Sequence, residues 1–153
     1  MPLFDTYTVL DSLLEYFKAE LPGKIAEHAD IGLKAIQEWD IGYRDIVSGL
    51  HLHPAFLIKS DRDRESDDGH NFQTMEVDIA LVFTTEDEDI GYQRLTRYQA
   101  ILDSILRDDP HFGGNIAEVK LASFSKARDA SRNGLFFLFV SMEIDIDVVA
   151  WRA

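Results

Sequence analysis

No cysteine occurs anywhere in the 153-residue chain. Disulfide frameworks, thiolate metal sites and cysteine nucleophiles are therefore excluded, and the composition suits a reducing compartment. Cations are scarce: 15 Lys and Arg stand against 28 Asp and Glu, a formal net charge of −13. A surface of that sign repels phosphate backbones and anionic lipid, which argues against grip on DNA, RNA or membranes. No apolar run approaches the roughly 20 residues of a membrane span. Met1-Pro2-Leu3-Phe4-Asp5 has neither the basic nor the long apolar region of a secretion signal. The expectation is a protein made and used in the cytosol.

Signatures of catalysis and cofactor binding are also missing. Neither Gly-x-x-x-x-Gly-Lys nor Gly-x-Gly-x-x-Gly occurs, and Gly113-Gly114 leads into a predicted strand where a phosphate cradle needs a helix. The nucleophile elbow Gly-x-Ser-x-Gly is absent. His51 and His53 share one face of an extended segment, but spacing supplies no third metal ligand. Asp61, Asp63 and Glu65 alternate like the start of a calcium loop. That match fails at Ser66, where the sharp turn needs Gly, and at Phe72, where the bidentate Glu would fall. No catalytic residue, cofactor or metal is expected.

What the sequence does hold is a core: 46% of residues are hydrophobic, enough for one domain spanning 1–153. Leu10, Leu13, Leu14, Phe17 and Leu21 recur at helical spacing, with Asp5 or Thr6 as the cap, and Pro22-Gly23 kinks or ends that helix ahead of a short second one through Ala29. Residues 31–53 fit either a helical stripe (Ile36, Trp39, Tyr43, Ile46) or irregular chain. Residues 55–59 read as a strand. Asp61, Arg62, Asp63, Arg64, Glu65, Asp67 and Asp68 then fall in a stretch with nothing apolar to bury, so residues 61–71 are expected to be a mobile loop, a candidate assembly element.

Met75, Val77, Ile79, Leu81 and Phe83 alternate as a half-buried strand. The best helix follows, with acidic residues 86–89 at its positive end and the stripe Leu95, Tyr98, Ile101, Leu102, Ile105, Leu106. Asp109-Pro110-His111-Phe112-Gly113-Gly114 stops it. Strands are expected over 116–124 and 136–148, joined by a turn over 125–134. The resulting fold class is α+β: a mostly antiparallel or mixed four-stranded sheet with helices packed on one face.

On the polar sides of the second and last strands, Glu76, Asp78, Glu143, Asp145 and Asp147 would crowd one face if the strands are neighbours. Solvated carboxylates are the bland explanation, and like charges across a sheet destabilise it. The sharper alternatives are a surface for a basic partner or the lining of an acidic channel through a ring of subunits. Phe137 and Phe139 continue that face as large aromatics among polar neighbours, a candidate subunit contact.

The order of these elements resembles the small neck and tail-completion proteins of long-tailed bacteriophages, the tail terminators above all. The likeness rests on the helix at 10–21, the Pro54-led strand with its charged sequel, the strand at 75–84 feeding the helix at 90–106, and the Asp109-to-Gly114 segment before two closing strands. It implies a helix-flanked sheet and assembly into a homo-oligomeric ring, often a hexamer, without enzymatic activity. Other tail and head-connector proteins are the implied partners, and host cytoplasm followed by the virion tail is the implied location. An acidic lumen would repel the phosphate backbone and let DNA slide. Two alternatives remain open: a small enzyme or ligand-binding domain with a pocket near His51, His53, Trp39 or Tyr43, and an adaptor for a basic protein.

Overall fold

The computed structural model describes residues 5–28, 32–42, 52–65, 72–85, 87–114, 118–129 and 134–148. Helix α1 (Thr6–Ala26) starts where the Asp5 side chain accepts a hydrogen bond from the Tyr7 backbone N–H. It buries Val9, Leu10, Leu13, Leu14, Phe17, Leu21 and Ile25. Pro22 does not end it. Burial of Leu21 and Ile25 on either side of the proline holds one further turn against the loss of a backbone donor, so no separate second helix begins before Ala26.

The sheet has five strands where four were expected: β1 (Glu38–Ile41), β2 (Ala55–Glu65), β3 (Phe72–Thr84), β4 (Glu118–Asp129) and β5 (Leu135–Asp147), in the order β1-β2-β3-β5-β4. It is mixed, as β1 runs parallel to β2 and every other pair is antiparallel. The α+β class and the one-sided helix packing follow the sequence reading. The extra strand comes from the ambiguous 31–53 segment, of which Tyr43, Ile46, Val47 and His51 lie outside the described residues. In β1, Trp39 and Ile41 turn toward the main core, and Trp39 packs on Phe56 with ring centroids 5.1 Å apart.

Two further boundaries correct the expected loops. Asp61, Arg62, Asp63, Arg64 and Glu65 belong to β2, not to a loop, because their backbones continue the ladder opposite residues 73–76 of β3 across a bulge. A ladder of that kind needs no apolar side chains. Asp67 and Asp68 lie outside the described residues. Likewise Ser125 to Asp129 extend β4 instead of turning, paired with residues 135–139 of β5.

Helix α2 (Glu88–Asp108) is capped by the Asp87 carboxylate, which accepts from Ile90 N at 3.1 Å. Glu88 and Asp89 in its first turn complement the helix dipole. Both helices lie on one face of the sheet, α1 against β1 and β2, α2 against β5 and β4. The main core fills the space between, with Phe56, Val77, Ile79, Leu81, Phe83, Leu138, Val140, Met142 and Ile144 on the sheet side. The segment after α2 locks the layers together. Phe112 is fully buried and packs edge-on against Tyr16 and Phe17, at centroid distances of 5.4 and 6.0 Å. Asp109 accepts from Tyr16 Oη at 3.1 Å and from Gly113 N at 2.7 Å, and Gly113 takes a positive φ of 71° that suits a residue without Cβ.

Candidate functional site

The face of the sheet opposite the helices is graded from apolar to charged along the strands. At one end Ala55, Leu57, Ala80, Val82, Leu135 and Phe137 form a second buried cluster. Phe137 is only 6% exposed, which corrects the expectation of two exposed aromatics: it is packed within its own chain, stacked on half-buried Phe139 at 5.6 Å. Phe139 then borders a shallow depression of about 210 Å³ with Lys59, Asp78, Ser123, Ser125 and Ser141. The Lys59 ammonium pairs with the carboxylate of Asp61.

The charged end carries the five carboxylates singled out from the sequence, and β3 and β5 are neighbours. Glu76 stands directly opposite Glu143, Asp78 opposite Ser141, Thr74 opposite Asp145 and Phe72 opposite Asp147. The face is nevertheless mixed. Arg62 sits across from Glu76 on the β2 side, Lys59 across from Asp78, and Arg64 across from Thr74. Cations beside carboxylates reduce the cross-strand repulsion that five acids alone would create. Asp145 departs furthest from the expectation. It is 4% exposed, and its carboxylate accepts from Thr74 Oγ1 and meets Lys120 Nζ at 3.5 Å. Lys120 is the extra residue of a bulge in β4, so this buried group ties three strands together and presents no open charge to a lumen.

Of the alternative pocket near His51, His53, Trp39 and Tyr43, His51 and Tyr43 lie outside the described residues. His53 lines a cavity of about 40 Å³ with Lys34, Pro54, Phe83, Arg94 and Tyr98, less than an organic substrate needs. Tyr98 Oη donates to the Lys34 carbonyl at 2.8 Å, and burial raises its pKa above the ordinary tyrosine value. Tyr16 is raised too, by burial first and by Asp109 second. Among the described residues no three His, Asp or Glu side chains converge as a metal-ligand set. No described helix is long and apolar enough to cross a membrane.

The larger feature was not anticipated. Strand β4 is an outer strand, mostly exposed, with Leu121 63% exposed. Between it and α2 an open groove of about 510 Å³ is lined by Glu88, Asp89, Tyr92, Leu95, Lys126, Arg128 and Phe136. Lys126 Nζ lies 5.5 Å from the Tyr92 ring centroid, and Arg128 lies 5.6 Å from that of Phe136 while contacting Glu88 at 3.2 Å. One signal for it was present: Tyr92 sits off the α2 core stripe and is 58% exposed. Its partners, Lys126 and Arg128, fall in the expected turn over 125–134. No family model matches the chain, and no curated protein matches it either.

Proposed function

We propose that the protein is a non-enzymatic assembly subunit of the tail-terminator kind, in a phage or prophage, that closes into a homo-oligomeric ring joining a tail tube to its head connector. The observation that carries this reading is that, among the described residues, a five-stranded sheet has α1 and α2 on one face and ends in two unlike outer strands, short β1 and long, exposed β4. An outer strand left open is a template for pairing with another chain. Because the two outer strands differ, contact between them is head-to-tail, the kind that builds rings. In such a ring the face opposite α1 and α2 turns inward, and Glu76, Asp78, Glu143 and Asp147 border the passage for DNA.

Light scattering coupled to size exclusion, across concentration, tests the proposal. A discrete oligomer of about six subunits is expected. A strict monomer that also forms no rings by electron microscopy at the highest concentration reached would overturn it.

A further inference from the structure

The two ends of the sheet differ in charge as well as length. At the β4 end two large apolar side chains stand exposed on α2, Ile90 and Tyr92, while exposed Leu121 of β4 pairs with Glu143 on the opposite face. The groove there is bordered by Lys126 and Arg128, two of only 15 cations in a chain of net charge −13. Their register partners Leu138 and Phe136 belong to the main core, so both cations lie on the helix side of the sheet. Tyr92 and Glu88 already hold them in place. At the β1 end, α1 shows the opposite sign. Tyr7, Asp11 and Glu15 follow one another at four-residue spacing on its exposed side. Residues 5–17 contain Asp5, Asp11 and Glu15 and no Lys or Arg. Lys18 meets Glu15 at 3.3 Å, but both are exposed and such a pair is weak.

We propose that the groove between α2 and β4 is the seat for α1 of a second copy, with the Tyr7-Asp11-Glu15 stripe against Lys126, Arg128 and Tyr92. The inference rests on the ring reading and names the surfaces that would make the ring. Strand directions agree with it. Because β1 is parallel to β2 and each later neighbour reverses, β4 runs opposite to β1. Two copies in the same orientation therefore bring β4 beside β1 in antiparallel sense, the more stable ladder. The helix layers then continue from α2 to the next copy's α1. Groove against groove would set the cations of one copy against those of the other, and stripe against stripe would do the same with carboxylates, so the head-to-tail arrangement is selected.

The test uses the full chain and two charge-reversal variants, Lys126→Glu with Arg128→Glu, and Asp11→Lys with Glu15→Lys. Each alone is expected to weaken self-association by about tenfold or more, since it sets like charges across the contact. An equimolar mixture is expected to recover it, because each acidic groove meets a basic stripe and each basic groove an acidic one. Thermal melts by circular dichroism establish that each variant folds, and Lys126→Gln with Arg128→Gln replaces the first if it does not, in which case weakening alone, without recovery on mixing, is expected. Oligomers undiminished in both variants, or lost in both charge-reversal variants and unrecovered on mixing, overturn the inference while leaving the ring reading intact. A wild-type chain that never associates removes both.

Discussion

At Gly91 only a hydrogen faces the Phe136 ring; a methyl group there would lie 2.3 Å from Phe136 Cζ. The ring cannot swing aside easily. It is stacked on Phe83 at 5.5 Å, and Arg128 lies over it. Ala in place of Gly in a helix ordinarily gains about 1 kcal/mol, whereas overpacking a filled core costs about 1–3 kcal/mol. The second term wins here, so Gly91→Ala should lower the urea midpoint, and a raised midpoint would mean that the Phe136 ring yields. Tyr98 makes a different demand. The residue is 1% exposed, and burial raises its pKa. The unfolded chain ionises near the ordinary value of about 10 while the folded chain stays protonated. Stability from this group is therefore full below about pH 10 and declines as pH rises beyond it. Tyr98→Phe should cost about 1–3 kcal/mol near neutrality by leaving the Lys34 carbonyl unpaired. It should also flatten the alkaline decline in part, since Tyr16 titrates in the same direction. An alkaline slope equal to that of the wild type would refute the assignment.

Among the strands, the row Arg62, Glu76, Glu143 and Leu121 crosses β2, β3, β5 and β4 in that order. Glu76 has a cation on one side and a carboxylate on the other. Replacing Glu143 with Thr removes the repulsion and adds a residue suited to strands, for a gain of about 0.2–1 kcal/mol. Arg62→Thr should lose a similar amount. If denaturant melts move the two variants the same way, the row is not governed by these charges. The same row shows what was legible in the sequence. The carboxylates could be placed on one face because residues 75–79 and 140–148 alternate apolar with polar. Their cations could not, because bulges at β2 and β4 set which residue meets which across the sheet. Helices α1 and α2 were readable from their buried stripes. The parts missed, β1 and the outer halves of β2 and β4, have two causes. Ile36, Trp39 and Tyr43 happen to be spaced like a helix face, and residues 61–64 and 125–129 bury so little that their strands are held by backbone ladders, which leave no hydrophobic period.

For the whole molecule, two electrostatic terms of opposite sense act on association. The net charge of −13 makes copies repel at long range, while the contact between the Lys126–Arg128 groove and the Asp11–Glu15 stripe attracts at short range. Salt weakens the first before the second. The Debye length falls from about 30 Å at 0.01 M to about 3 Å at 1 M, so charges spread over a protein's width are screened well before groups in contact. Self-association should therefore rise with salt at first, pass through a maximum near physiological strength and fall toward 1 M. Light scattering over that range at fixed concentration measures it directly. In the variant Lys126→Gln with Arg128→Gln the long-range term remains and the contact term is gone, so the falling limb should vanish and association should only rise. A wild-type curve that rises without a maximum would mean that apolar surface such as Ile90 and Tyr92 alone holds the copies together, and that the two cations have no part in it.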